Sequence, residues 1–108
     1  MRSVLALAAL ALAATSLPAL AAGDATAGKK KAAQCQTCHG MDGLSKLPEA
    51  PNLAGQTAYY LNKALTDFKG GVRKNEMMSV VIEALTPADI ADLTAYYASI
   101  KVTVEAPK

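Results

Sequence analysis

The sequence of 108 residues has no tryptophan, one phenylalanine and one histidine. Chains this short with so little aromatic bulk build thin cores, and they commonly need a metal, a disulfide or a cofactor to complete them. A single histidine excludes any site built from two imidazoles of one chain. Two cysteines, Cys35 and Cys38, exclude a four-cysteine zinc site. Neither sign of charge dominates, with 11 basic residues against 9 acidic ones and a net charge of +2. That balance excludes the strongly basic surface of a dedicated nucleic-acid binder. No internal repeat, low-complexity tract or interdomain linker is present.

Long apolar runs are also missing. The longest, Val4 to Ala14, has 11 residues, whereas a membrane span needs about 18 or more. It follows Met1-Arg2 and ends before Pro18, and Ala19-Leu20-Ala21 then forms a small-x-small cleavage site. These are the three parts of a secretory leader, predicted at residues 1–21. An uncleaved anchor is the alternative. The predicted mature domain is 22–108, with no transmembrane segment. An exported chain meets an oxidising compartment, where two cysteines by default form a disulfide.

The mature part reads as helices and loops. Asp24 can cap a first helix at about Ala25 to Gln34. Gly40 to Gln56, with three glycines and two prolines, reads as a long ordered loop. Such a loop in a small domain usually wraps something functional. A second helix is predicted over Thr57 to Lys69, with Leu61, Leu65 and Phe68 on one face and Gly70-Gly71 as its stop. A short helical piece follows at Ser79 to Ala84. Thr86-Pro87-Ala88-Asp89 opens the last helix with a capping box, and Ile90, Leu93, Tyr97 and Ile100 mark its buried face. The tail from Val102 to Lys108 reads as frayed. Lys29-Lys30-Lys31 reads as a solvated helix face.

Cys35-Gln36-Thr37-Cys38-His39 is C-x-x-C-H, the covalent haem attachment sequence. Two thiols three residues apart each form a thioether to a haem vinyl group, and the adjacent imidazole serves as an axial iron ligand. The motif uses both cysteines and the only histidine. Three alternatives fit less well. A thioredoxin-like dithiol needs a βαβ setting. A zinc site needs a fourth ligand besides Cys35, Cys38 and His39. A disulfide between Cys35 and Cys38 closes a loop too small to stabilise much.

On these residues the sequence resembles the class I c-type cytochromes, especially the small bacterial single-haem domain found doubled in cytochrome c-four. The matching stretches are Ala22-Gly23-Asp24, CQTCHGMDG at 35–43, PNLAGQ at 51–56, Tyr60-Leu61, Asp67-Phe68-Lys69-Gly70, Arg73, Met78 and LTPADIADLTAYYA at 85–98. One departure is that this chain has one such domain. The resemblance implies an all-α fold, helices and loops wrapped around one covalent haem c. With no second histidine, methionine is the remaining soft axial ligand. Met1 leaves with the leader, and Met41 is too close to His39 to cross to the opposite haem face. Met77 and Met78 lie 38 and 39 positions downstream of His39. The family's spacing, seven residues before the leucine that precedes the last helix, implies Met78 when counted from Leu85. The family's proline carbonyl on the ligand histidine implies Pro51, which otherwise reads as a loop stiffener. Arg73 and Tyr60 are candidates to meet a haem propionate, an exposed surface arginine being the alternative. Leu53, Leu61, Phe68, Leu85, Leu93 and Tyr97 are expected to pack against the haem or each other.

The resemblance implies a periplasmic electron carrier rather than an enzyme, cycling one electron with redox protein donors and acceptors. Those partners include membrane respiratory complexes or a dehydrogenase. The main alternative is a haem subunit of a dehydrogenase such as a flavocytochrome. A haem sensor or peroxidase would need an open iron site, and a C-x-x-C disulfide oxidoreductase is the remaining alternative. Protein exported from a haem-competent host is expected to keep haem mass after denaturation, with both thiols closed to alkylation. Free thiols with no added haem mass would contradict the motif reading.

Overall fold

The structure, a computed structural model, describes residues 23–108; the predicted leader at 1–21 lies outside them. Among the described residues the elements are helical, with no strand. Helix α1 spans Ala25–Lys31, and Asp24 caps it by accepting from the N–H groups of Thr26 and Ala27 at 2.8 and 3.3 Å. The chain then tightens into a 3₁₀ turn, Ala32–Gln34, and α2 spans Gln36–His39. The single helix expected to Gln34 therefore changes pitch after Lys31. The Cys35 N–H reaches back three residues to the Ala32 carbonyl at 2.9 Å, as in the tighter helix.

Helix α3 spans Ala58–Lys69, with Thr57 as its cap rather than its first residue. Helix α4 spans Glu76–Val81 and runs into a 3₁₀ turn, Ile82–Ala84. It begins earlier than the expected Ser79, because Asn75 is an N-cap whose side-chain oxygen accepts from the N–H groups of Met77 and Met78, both at 3.0 Å. Helix α5 spans Pro87–Ser99, and both halves of the Thr86–Asp89 capping box are made. Beyond Ile100 the tail is exposed, although the Val102 side chain lies beside Gly55.

The most extensive helix pair is α1 with α5, and α3 packs against the same α5. Two glycines let α1 and its leading residue touch the α5 backbone. A Cβ on Gly28 would sit 1.9 Å from the Asp92 carbonyl oxygen, and one on Gly23 would sit 1.9 Å from that of Ala91. Only a residue without a side chain permits so close an approach. Polar groups hold the same crossing. The Lys31 ammonium contacts Asp89 and Asp92, each at 2.6 Å, and Asp92 also accepts the Asp24 N–H at 2.8 Å. Lys29 and Lys30 are exposed, as expected of a solvated run. Lys31 corrects that reading, because the crossing carries it onto two carboxylates of α5. The Lys31 ammonium, together with the Thr86 N–H and hydroxyl, holds the Asp89 carboxyl down at about 2, so the clasp is ionised throughout the neutral range.

The buried apolar set is small: Ala32, Leu61, Ile82, Leu85, Ile90, Leu93 and Tyr97. Leu53, Leu65 and Phe68 pack half-buried against it. Ile82 and Ala32 were not marked by helical spacing, since both lie in 3₁₀ turns where the period is nearer three.

Gly28→Ala is expected to destabilise the protein by about 2 kcal/mol through overpacking at the crossing. Alanine's better helix preference, about 1 kcal/mol, does not offset a clash with backbone. Gly70→Ala is the control, since a Cβ there comes no nearer than 3.4 Å to the Thr66 carbonyl oxygen. Denaturant unfolding of both variants should separate them, and equal stabilities would refute the close-contact argument.

Candidate functional site

Helix α1 and its 3₁₀ turn deliver Cys35 as the pivot between two helical pieces, and α2 then carries Cys38 and His39. The two sulfurs are unbridged and half-buried. Burial raises the Cys35 thiol above its ordinary value, and the neighbouring Cys38 adds to the effect. A reactive dithiol needs the opposite, a stabilised thiolate. Among the described residues no three His, Cys, Asp or Glu side chains group as metal ligands, so a tetrahedral zinc site has no donor set there.

His39 is 7% exposed. Its Nδ1 lies 2.9 Å from the Pro51 carbonyl oxygen. That contact uses Nδ1 as the donor and leaves Nε2 as the nitrogen with a lone pair. The loop that carries Pro51 is cross-braced. The Lys46 N–H donates to the Cys38 carbonyl at 2.9 Å, and the N–H groups of Leu53 and Ala54 donate to the Gly43 carbonyl at 2.8 and 3.0 Å. Gly40, with φ of +74°, makes the turn directly after His39. Helix α5 reaches this turn as well: the Tyr96 hydroxyl donates to the Met41 carbonyl at 2.6 Å, and the Tyr97 hydroxyl to the Gly40 carbonyl at 3.2 Å.

The methionines differ in setting. Met41 packs half-buried against the core, Met78 is half-buried on α4, and Met77 beside it is 66% exposed. Helix α4 has only six residues and depends on its ends. Asn75 caps its start. Lys69 of α3 ties down the 3₁₀ turn that follows α4, donating to the carbonyls of Glu83 at 2.6 Å and Ile82 at 3.4 Å. A surface cavity of about 600 Å³ lies between these two tethers, lined by Phe68, Lys69, Asn75 and Ile82 among others and not by the C-x-x-C-H residues. Arg73 and Tyr60 come together: the Arg73 guanidinium lies 4.7 Å from the centre of the Phe68 ring and donates to the Tyr60 hydroxyl at 3.5 Å.

A large apolar group fits this chain. Leu44 and Leu47 in the long loop, Tyr60 on α3 and Val80 on α4 all remain exposed. Leu44 and Leu47 share the loop with Pro51, and Val80 shares α4 with Met78. Two thiols at attachment spacing beside one imidazole suit a haem c rather than a hard cation, which takes oxygen ligands. What sequence reasoning missed is the bracing: Asn75, Lys69, Tyr96 and the Lys31 clasp. Asn75 was discoverable, since an asparagine just before an apolar stretch is an N-cap signature.

The cytochrome c family model matches residues 25–101, and the chain belongs to that family. A C-x-x-C-H sequence in a cytochrome c domain means a covalently bound haem c, and Cys35 and Cys38 fit its attachment positions. The chain is 49% identical over 84 residues to cytochrome c4 of Pseudomonas aeruginosa, covering 78% of this chain and 42% of that protein. It is 43% identical to cytochrome c-554(548) of Halomonas halodenitrificans, covering 72% of this chain and 98% of that protein. The crystal structure of reduced recombinant cytochrome c4 from Pseudomonas stutzeri superposes with a TM-score of 0.71 at 42% identity, over 77% of this chain and 48% of that one. The chain thus spans about half the length of the cytochrome c4 proteins it matches. The fold is that of class I cytochromes c, as the resemblance implied.

Asn75→Ala removes the acceptor for two orphan N–H groups of a six-residue helix. A loss of about 1 kcal/mol in stability is expected, while Asn75→Asp keeps the cap and should cost less. Denaturant unfolding of the oxidised protein measures both, and an unchanged Asn75→Ala midpoint would show that α4 does not depend on its cap.

Proposed function

We propose that this chain is a one-electron carrier of the periplasm rather than an enzyme, with haem c held by Cys35 and Cys38 and with His39 and Met78 as axial donors. The state of His39 carries the reading: the Pro51 carbonyl engages Nδ1 and leaves Nε2 free to act as a ligand. A carbonyl on the second ring nitrogen fixes the tautomer, orients the ring and raises its basicity. When bound, haem c supplies a reversible ferric–ferrous couple.

The chain's own residues favour transfer over chemistry. Met78 offers a soft sulfur, which stabilises the reduced state. Its partial burial on the capped α4 supports it over the exposed Met77. With His39 and Met78 both holding the iron, a substrate would find no open position there, and the single histidine leaves no second imidazole for proton transfer. Arg73, beside Tyr60, provides a guanidinium suited to a propionate. The leader predicted from the sequence at residues 1–21 supports the periplasm. Among the described residues no helix is long and apolar enough to cross a membrane. The partners are redox proteins that give and take single electrons.

The reduced wild-type protein is expected to bind carbon monoxide slowly or weakly near neutral pH and to show negligible peroxide turnover. Met78→Ala should open the iron to carbon monoxide and lower the reduction potential, while Met77→Ala should behave like wild type. Stopped-flow mixing and potentiometry read both. The reverse ranking would move the ligand to Met77, and fast stoichiometric binding by undamaged wild type would reject the closed-site carrier.

A further inference from the structure

Tyr96 and Tyr97 are consecutive on α5, and their hydroxyls reach the consecutive carbonyls of Met41 and Gly40. These carbonyls are the first two after His39, and the partners are 55 and 57 residues apart in sequence. Ring centres 5.0 Å apart at 60° hold the two phenols against each other. Tyr97 is 3% exposed, and its burial raises the phenol well above its usual range, so it remains a donor at any working pH.

The Gly40 carbonyl accepts twice, from the Tyr97 hydroxyl and from the Gly43 N–H at 3.2 Å. The Gly43 carbonyl in turn accepts from Leu53 and Ala54. Pro51, whose carbonyl holds His39 Nδ1, lies two residues before Leu53. A path of hydrogen bonds and short backbone segments, the last from Leu53 back to Pro51, therefore joins α5 to the carbonyl that orients the imidazole. Gly40 makes this path possible: its φ of +74° is one that L side chains avoid, and a Cβ there would meet Asp42 Oδ1 at 2.4 Å and the Leu44 carbonyl oxygen at 2.6 Å.

We infer that Tyr97, with Tyr96 in support, is a positioning residue for the His39 imidazole, acting through Gly40 and Gly43 on the Pro51 carbonyl and so tuning the basicity of the iron ligand. The inference rests on His39 being that ligand. Losing the Tyr97 hydroxyl frees the turn, lengthens the contact between Pro51 and His39 on average, and makes the imidazole a weaker donor. A weaker donor stabilises ferric iron less, so the reduction potential rises.

The test compares wild-type, Tyr96→Phe and Tyr97→Phe holoproteins by potentiometry and by nuclear magnetic resonance of the His39 ring. Wild type is measured first. A spectrum without histidine-coordinated iron would overturn the site assignment, and this inference with it, before any variant is compared. With histidine coordination present, Tyr97→Phe should raise the potential and speed exchange of the His39 Nδ1 proton about fivefold to tenfold, the factor expected from losing one ordinary hydrogen bond. Tyr96→Phe should shift both in the same direction by less. If Tyr97→Phe yields no folded holoprotein, Tyr96→Phe decides by the same two readouts. Lower thermal stability with wild-type potential and exchange would make the tyrosines a brace without reach to the ligand, and would overturn the inference.

Discussion

The contact of two backbones at Gly28 is the constraint on which the rest of the molecule depends. Helix α1 can lie against α5 only because no side chain intervenes, and the Lys31 clasp then sets how the two helices align. From that crossing the chain runs directly through the 3₁₀ turn into Cys35, Cys38 and His39. The same α5 supplies Tyr96 and Tyr97 to the turn beyond His39. One helix therefore fixes both the approach to the attachment segment and its exit. The small core is enough because the segment is held by directional bonds as well as by burial.

The opposite side of the site is built by a different method. Helix α4 is too short to persist by its own propensity. Asn75 satisfies its first N–H groups, while Lys69 holds the carbonyls of the 3₁₀ turn that follows the helix and Ile82 anchors that turn in the core. His39 thus belongs to the paired terminal helices, while the segment that carries Met78, the proposed second ligand, is tied to α3 by a lysine. The two sides meet through Leu85 and the capped start of α5.

Much of this was legible in the chain. Helical spacing marked Leu61, Ile90, Leu93 and Tyr97, and Thr86-Pro87-Ala88-Asp89 announced α5 because capping chemistry is local. The C-x-x-C-H motif and the family stretches pointed to haem c. Illegible were features created by contacts between distant segments. Lys31 looked like one of three equivalent lysines until α5 placed two carboxylates beside it. Tyr96 carried no signal, since nothing in its spacing reveals a carbonyl 55 residues away. The change of pitch after Lys31 was hidden for a similar reason: a 3₁₀ turn keeps the apolar residue types of an α-helix and alters only their angular order.

The crossing also governs the order of events in the life of the chain. Asp24 and Asp92, joined at the contact, are 68 residues apart. During synthesis from the amino end, α1 and the two cysteines emerge long before the helix that must seat against them. Closing a loop over such a separation costs chain entropy before the contact repays it. Until α5 arrives, the thiols lie in a solvated segment without the burial that suppresses Cys35 ionisation in the closed fold. Both sulfurs are half-buried once the fold closes, so the open chain offers them more freely than the closed one.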